Sequence, residues 1–334
     1  MAELNTSTPS QDAGLFAGAR KDRPALAATL MVCSLALLGL QDSLVKLTSG
    51  EVSLWQFQFL RSGCNLGLIL LIWLFYRGKI SPYPKRIGAV ALRSLFLIGA
   101  MVFFFGGIPF LTLSQIAAGL YVFPIFVAVL SALILKEKVG IRRVMAILAG
   151  FLGTILILKP GTSDFQLYAV MPVIAGLCYA ATILTTRKLC REESPFALSL
   201  GVATAFILVS SAGLVLTTMA SPNDYAIHWP YLFSGWHPLE MVVAGIIITC
   251  SCLNLTANIG LARAYQSAES SWLAPFDYSY LVFATFWGVV MWGDVPDLLS
   301  FIGMSIIATA GCYVAWRERV ENNLPRVELN RALR

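Results

Sequence analysis

Ten stretches of this chain are apolar for long enough to cross a lipid bilayer, and that feature constrains the fold more than any other. They run over 25–45, 54–76, 87–108, 114–135, 142–158, 167–186, 195–219, 240–262, 270–292 and 298–316. About 20 apolar residues make a helix ~30 Å long, the thickness of the hydrocarbon core. Inside that core each backbone N–H and C=O must find its partner within the segment, so such runs are read as helices. Only 13% of the residues are charged, against about 25% in soluble domains. The expected fold class is an all-α integral membrane protein of ten transmembrane helices.

The net charge of +6 is a matter of topology, not of nucleic-acid binding. Twenty Lys and Arg residues lie on one set of faces: Arg20, Lys21, Arg23; Arg77, Lys79, Lys85, Arg86; Lys136, Lys138, Arg142, Arg143; Arg187, Lys188, Arg191; Arg263; and Arg317, Arg319, Arg326, Arg331, Arg334. The opposite faces carry Lys46 and Lys159 alone, while Arg61 and Arg93 fall within spans. By the positive-inside rule both termini are expected in the cytoplasm and the span count is even; the expected location is a bacterial inner membrane. The Arg20–Arg23 cluster precedes a full-length span, so it does not read as a cleavable leader.

Ten spans divide into two halves of five, 24–160 and 161–317, flanked by cytoplasmic tails at 1–23 and 318–334. An odd number of spans per half means that a duplicated half would insert upside down, the arrangement that places a transporter's site between repeats. In each half a carboxylate precedes a glycine-bearing span: Glu137 before Gly150 and Gly153, Asp294 before Gly303 and Gly311. The longest loop, about 221–238, carries His228, Trp229, Tyr231, Trp236 and His237, a composition suited to the membrane–water interface.

No enzyme motif is present: H-E-x-x-H, the phosphate loop and G-x-S-x-G are all missing. The seven cysteines form no C-x-x-C pair and read as small packing residues, with neither a disulfide nor a metal site indicated. No cofactor is implied. A transporter without a phosphate loop runs on a gradient or by exchange.

Ionisable and polar groups within spans are the candidates for chemistry, because each costs roughly 2.5–3.5 kcal/mol at a helix centre. Asp42 and Lys46 are four residues apart and share a helix face. Asp42 and Arg61 fall at similar depth, so Asp42, Lys46 and Arg61 read as a structural charge network; Arg61 snorkelling outward or meeting substrate are the alternatives. Asp277, between Phe276 and Tyr278, is the deepest carboxylate and could hold a proton, meet a cationic group, or bond locally beside Pro275. Asn254 and Asn258 share one face of span eight and either line a cavity or bond a neighbouring helix. Tyr121 stands three residues before Pro124, whose missing N–H frees a carbonyl in span four. Ala146, Ala149, Gly150 and Gly153 read as a close-packing stripe, and Arg93 and Glu137 as residues of cytoplasmic helix ends.

The stretch AAGLYVFPIFVAVLSALILKEKVGIRRVMAILAGFLGTILILKPG, Ala117 to Gly161, resembles EamA-type members of the drug/metabolite transporter superfamily. A mid-span Pro124, the step at Glu137 and the following Gly150 and Gly153 carry the likeness. QFQFLRS with Gln56 and Arg61, and LRSLF with Arg93, match the same pattern. ARAYQSAESSWLAPFDYSYLVFATFWGVVMWGDVPD is similar to the second repeat, with an early Pro275 and Asp294 in place of the usual Glu. The resemblance implies two inverted five-helix EamA-like repeats around a central cavity, as a monomer or homodimer in the bilayer, with a small-molecule substrate and no nucleic acid.

That branch includes carriers of riboflavin and of S-adenosylmethionine. Tyr121, Asn254, Asn258, Tyr278 and Tyr280 suit a flat heterocycle by stacking and hydrogen bonding. A basic substrate would want more than one buried carboxylate, so a riboflavin-like heterocycle is the first expectation. Export of amino acids or drug-like compounds, and a non-transporting membrane assembly subunit, are the alternatives.

Overall fold

The computed structural model describes residues 24–75, 83–130, 133–134, 141–159, 167–190, 193–219, 227–267 and 276–323. The helices are α1 (Pro24–Thr48), α2 (Leu54–Phe75), α3 (Ile87–Gly106), α4 (Leu113–Leu120), α5 (Phe123–Leu130) and α6 (Ile141–Leu158), then α7 (Val170–Leu189), α8 (Pro195–Met219), the short α9 (Pro230–Phe233), α10 (Met241–Ser267), α11 (Ser279–Trp292) and α12 (Leu298–Asn323). The described fold is all-helical.

Polarity runs inside out. Leu70, Leu74, Leu208, Leu216, Val242, Phe286, Val290 and Phe301 are exposed on the perimeter. Gln41, Asp42, Gln56, Gln58, Arg61 and Ser251 are buried. A water-soluble monomer rarely exposes contiguous apolar patches beyond a few hundred Å², whereas a bilayer is the solvent that such a perimeter matches. Among the described residues, six helices are long and apolar enough to cross it: Ala25–Thr48, Leu54–Phe75, Ile87–Gly106, Leu167–Thr186, Phe196–Met219 and Met241–Leu261. The chain is a multi-pass membrane protein.

The remaining apolar segments are shorter, for local reasons. The expected continuous helix over 114–135 is interrupted by a turn at Tyr121–Val122, just ahead of Pro124. Residues 276–277 are helical and Tyr278 is a turn before α11, so the segment expected over 270–292 is interrupted too. Thr112 caps α4 reciprocally with Gln115, through a 3.3 Å bond to the Gln115 amide and a 3.0 Å bond from the Thr112 amide. Gly293, at φ +67°, ends α11, and the next amide, Asp294, reaches back to the Gly288 carbonyl at 3.2 Å. Within spans, hydroxyls such as Thr182, Thr185 and Thr217 donate to carbonyls one turn back, which satisfies them without water.

α1 packs on α10 and α11, and α7 packs on α3 and on α4 with α5. α2 meets α8 and α10, α3 meets α8, α4 meets α11, and α6 meets α12. At the α6–α12 crossing a Cβ on Gly153 would stand 2.6 Å from the Gly303 carbonyl oxygen, and one on Gly303 2.5 Å from that of Gly153. Only glycine permits that approach. Where α7 crosses the break in span four, a Cβ on Gly176 would lie 2.8 Å from the Leu120 carbonyl oxygen. Glu193 takes the backbone amides of Lys85 and Arg86, at 2.9 and 2.7 Å, and so caps α3 from the α7–α8 connection.

Candidate functional site

A buried carboxylate organises the middle of the bundle. Asp42 on α1 is 5% exposed. The Tyr280 hydroxyl, from the start of α11, donates to its Oδ2 at 2.5 Å. The Gln41 amide donates to its Oδ1 at 2.8 Å. Asn254 on α10 donates to the Gln41 carbonyl oxygen at 2.8 Å, and Asn65 on α2 reaches the Asn254 oxygen at 3.4 Å. One polar chain thus links α11, α1, α10 and α2, which belong to both halves of the sequence.

Both helix breaks abut this chain. Tyr121 caps α4, and its hydroxyl donates to the backbone carbonyl of Asp277 at 2.5 Å. Its ring lies 5.4 Å from that of Tyr278 and 5.9 Å from that of Tyr280, tilted by 36° and 27°. Near-parallel rings at such spacing are preferred aromatic geometry. Interrupted helices leave carbonyls without intrahelical donors, and the Tyr121 hydroxyl supplies one across the gap. The arrangement offers aromatic surface, a carboxylate and amides in one place, the chemistry by which a flat polar molecule is stacked and hydrogen-bonded.

Of the residues singled out from sequence, Tyr121, Tyr278, Tyr280 and the Asp277 backbone come together, and Asn254 joins them through Gln41 and Asp42. Asn258 does not: it is exposed, and its amide donates at 2.8 Å to the Asn254 backbone carbonyl. The expected charge network is divided. Lys46 turns to Asp294 at 3.0 Å and lies 5.0 Å over the Trp292 ring. Asp42 is held by Tyr280 and Gln41, with no ion pair to Arg61. Arg61 is 3% exposed, between the rings of Phe57 and Phe105 at 5.7 and 5.4 Å. Glu137 and Pro275 lie outside the described residues.

Gln41 and Asn65 are part of the chain and were not singled out from sequence. Each sits beside or one turn from a residue that was, and a polar side chain adjacent to an intramembrane charge is the signal that would have found them. Near one end, residues 227–240 lie over the start of α2. Gln56 exchanges hydrogen bonds of 2.8 and 2.9 Å with the His237 backbone, and the Trp55 indole donates to Leu232 O at 2.9 Å.

Residues 25–159 match the EamA-like transporter family. A riboflavin transporter of Vibrio cholerae is 30% identical over 60% of this chain and 63% of its own length, so the match spans just under two thirds of that protein. A pseudopaline exporter of Pseudomonas aeruginosa is 23% identical over 84% of this chain and 93% of its own. An S-adenosylmethionine uptake transporter of Rickettsia felis is 24% identical, covering 82% and 85%. Among solved structures, a crystal structure at 16% identity superposes with a TM-score of 0.62 over 89% of this chain and 98% of that one, which shares the fold. The match to the EamA-like family and the named relatives support a transport role.

Proposed function

We propose that this protein is a secondary transporter that carries a small, flat heterocyclic metabolite across the bacterial inner membrane, with riboflavin-like uptake as the first substrate reading. The observation that carries it is the meeting of Tyr121, Tyr278 and Tyr280 with the Asp42–Gln41–Asn254 chain where two interrupted helices cross. Three rings supply stacking surface, and the carboxylate and amides supply fixed polar contacts.

The ten-span reading counts α4 with α5 as one broken span and 276–292 as another. Packing supports two repeats. Exchanging α1 with α7, α2 with α8, α3 with α10, α4 and α5 with α11, and α6 with α12 maps the principal helix pairings onto one another. The α1–α10 contact becomes α7–α3, α2–α10 becomes α8–α3, and α2–α8, α4–α11 and α6–α12 map onto themselves. An odd repeat length makes such a pair inverted and sets the site at their interface. Cytoplasmic termini follow from the Lys and Arg distribution. Within the site, Asp277 remains the candidate for proton coupling.

The test is uptake by proteoliposomes holding the full chain, offered labelled riboflavin, S-adenosylmethionine and amino acids. Riboflavin accumulation above empty liposomes, reduced at least tenfold in Tyr121→Ala, is the expected result. Accumulation of none of them in either direction sinks the substrate reading. Export of amino-acid-like or drug-like compounds is the second reading, favoured by the likeness to an exporter over 93% of that protein's length.

A further inference from the structure

Arg61 is a buried charged side chain with unpaired donors. Its Nε and Nη1 are buried and donate to no protein acceptor among the described residues. Phe57 and Phe105 cover the guanidinium. Aromatic faces attract a cation but accept no in-plane hydrogen bond, so the donating edge is left open. Around it are other orphans. Both amide atoms of Gln58, one turn before Arg61 on α2, lack partners, as does the Tyr231 hydroxyl on α9. Gln58 is 1% exposed and Tyr231 2%.

Buried polar groups are nearly always paired, and a buried charge without a counter-charge is among the most unfavourable arrangements a fold retains. Asp42 lies within electrostatic reach of Arg61 but accepts no hydrogen bond from it: the Asp42 oxygens are engaged by Tyr280 and Gln41. The open donors are the guanidinium Nε and Nη1, a phenol and an amide. That set matches a planar, doubly accepting anion.

We propose that Arg61, with Tyr231 and Gln58, forms a subsite for a carboxylate group of the transported molecule. The inference rests on the transporter reading and revises its cargo: a flat heterocycle bearing an acid, which riboflavin itself lacks. Arg61 neighbours Asp42, whose partner Tyr280 belongs to the tyrosine stack, so ring and acid would be held by adjoining parts of one site. The short helix α9, which carries Tyr231, covers this end.

The test uses matched probes on the purified full chain in detergent, read as thermal stabilisation. Nicotinate is compared with nicotinamide, which differ in the acid alone, and acetate and inorganic phosphate serve as controls. Nicotinate is expected to stabilise at concentrations at least tenfold below nicotinamide, with that preference lost in Arg61→Gln and weakened in Tyr231→Phe. A second measurement separates binding from architecture. Arg61→Met is expected to raise the melting temperature of the ligand-free protein, because it removes a buried charge with two unpaired donors.

An arginine that serves packing alone would instead lower the melting temperature, and that result overturns the proposal. Equal effects of nicotinate and nicotinamide, no effect of either, or a preference that persists in Arg61→Gln also overturn it. Inorganic phosphate as effective as nicotinate assigns the site to a free anion and overturns the cargo assignment. Riboflavin uptake that persists while the acid preference is absent removes this subsite alone and leaves the transporter reading standing.

Discussion

The α6–α12 crossing and the junction of α1 with α10 and α11 solve the same problem in opposite ways. The first is a dry seam: two glycines bring backbones together, and Ile157 and Ile307 fill the space beside them. The second is wet chemistry without water: Asp42, Gln41, Asn254 and Tyr280 hold helices by side-chain hydrogen bonds. Lipid tails supply no hydrophobic drive between helices, so close packing and hydrogen bonds are the available sources of cohesion. They behave differently under change. A seam of interlocked backbones has one good geometry. Interhelical hydrogen bonds are worth about 0.6 kcal/mol each on average in membranes, so their partners can be exchanged at small cost. Under the proposed transport role, the seam is the region expected to hold still and the polar junction the one expected to rearrange.

The comparison is most severely tested at the seam. Gly153→Leu places side-chain atoms where the Gly303 backbone stands; overpacking costs typically 1–3 kcal/mol and more when backbone must move. Little folded protein is expected on size-exclusion chromatography after solubilisation. Next is Asp42→Asn at the polar junction. It removes the acceptor of the Tyr280 hydrogen bond's charge-assisted form, worth about 1.5–3 kcal/mol. Folded protein is expected at near-normal yield, with uptake in proteoliposomes lowered at least tenfold. Equal loss of fold in both variants would show the two regions to be equally rigid. Tyr280→Phe deletes one neutral donor and keeps the ring, so a destabilisation of about 1 kcal/mol and a several-fold rise in KM are expected.

The smallest effect belongs to Asp297. Its bonds to Lys159 and to Ser300 hold its carboxyl below the usual value, at about 2. A depressed carboxyl adds stability that is fully present above the ordinary carboxylate range and is lost as pH falls through about 2. Thermal stability should therefore show no pH dependence from this pair between pH 5 and 8, where its contribution is constant, and Asp297→Asn should change it there by under about 1 kcal/mol, as exposed ion pairs do.

Hydrophobic run length made the membrane class legible, because backbone satisfaction in lipid leaves few alternatives. The site was legible in part. Tyr121, Tyr278, Tyr280 and Asn254 were visible as polar or aromatic residues in apolar runs, and Pro124 marked the break beside Tyr121. Their joining agent, Gln41, was not, since its importance lies in reaching from Asp42 to Asn254, and distances across helices leave no periodic trace. Arg61 illustrates the same limit. Depth along a helix matched it with Asp42, but azimuth sent the Asp42 oxygens to Tyr280 and Gln41 instead.

One pair of contacts has a kinetic meaning. Lys46 at the end of α1 and Lys159 just after α6 bind Asp294 and Asp297, two acids of one short connection between α11 and α12. Both clasps join the first half of the chain to the second at a single end of the bundle. If the proposed transport holds and each is worth up to about 1 kcal/mol, each would bias the protein by up to about fivefold toward a form in which that end is joined. Molecules arriving from that side meet a binding-competent form that is only fractionally populated, and their apparent affinity falls by that fraction. The two faces of the membrane should therefore show unequal half-saturation concentrations for the same cargo, and raising ionic strength should draw them together.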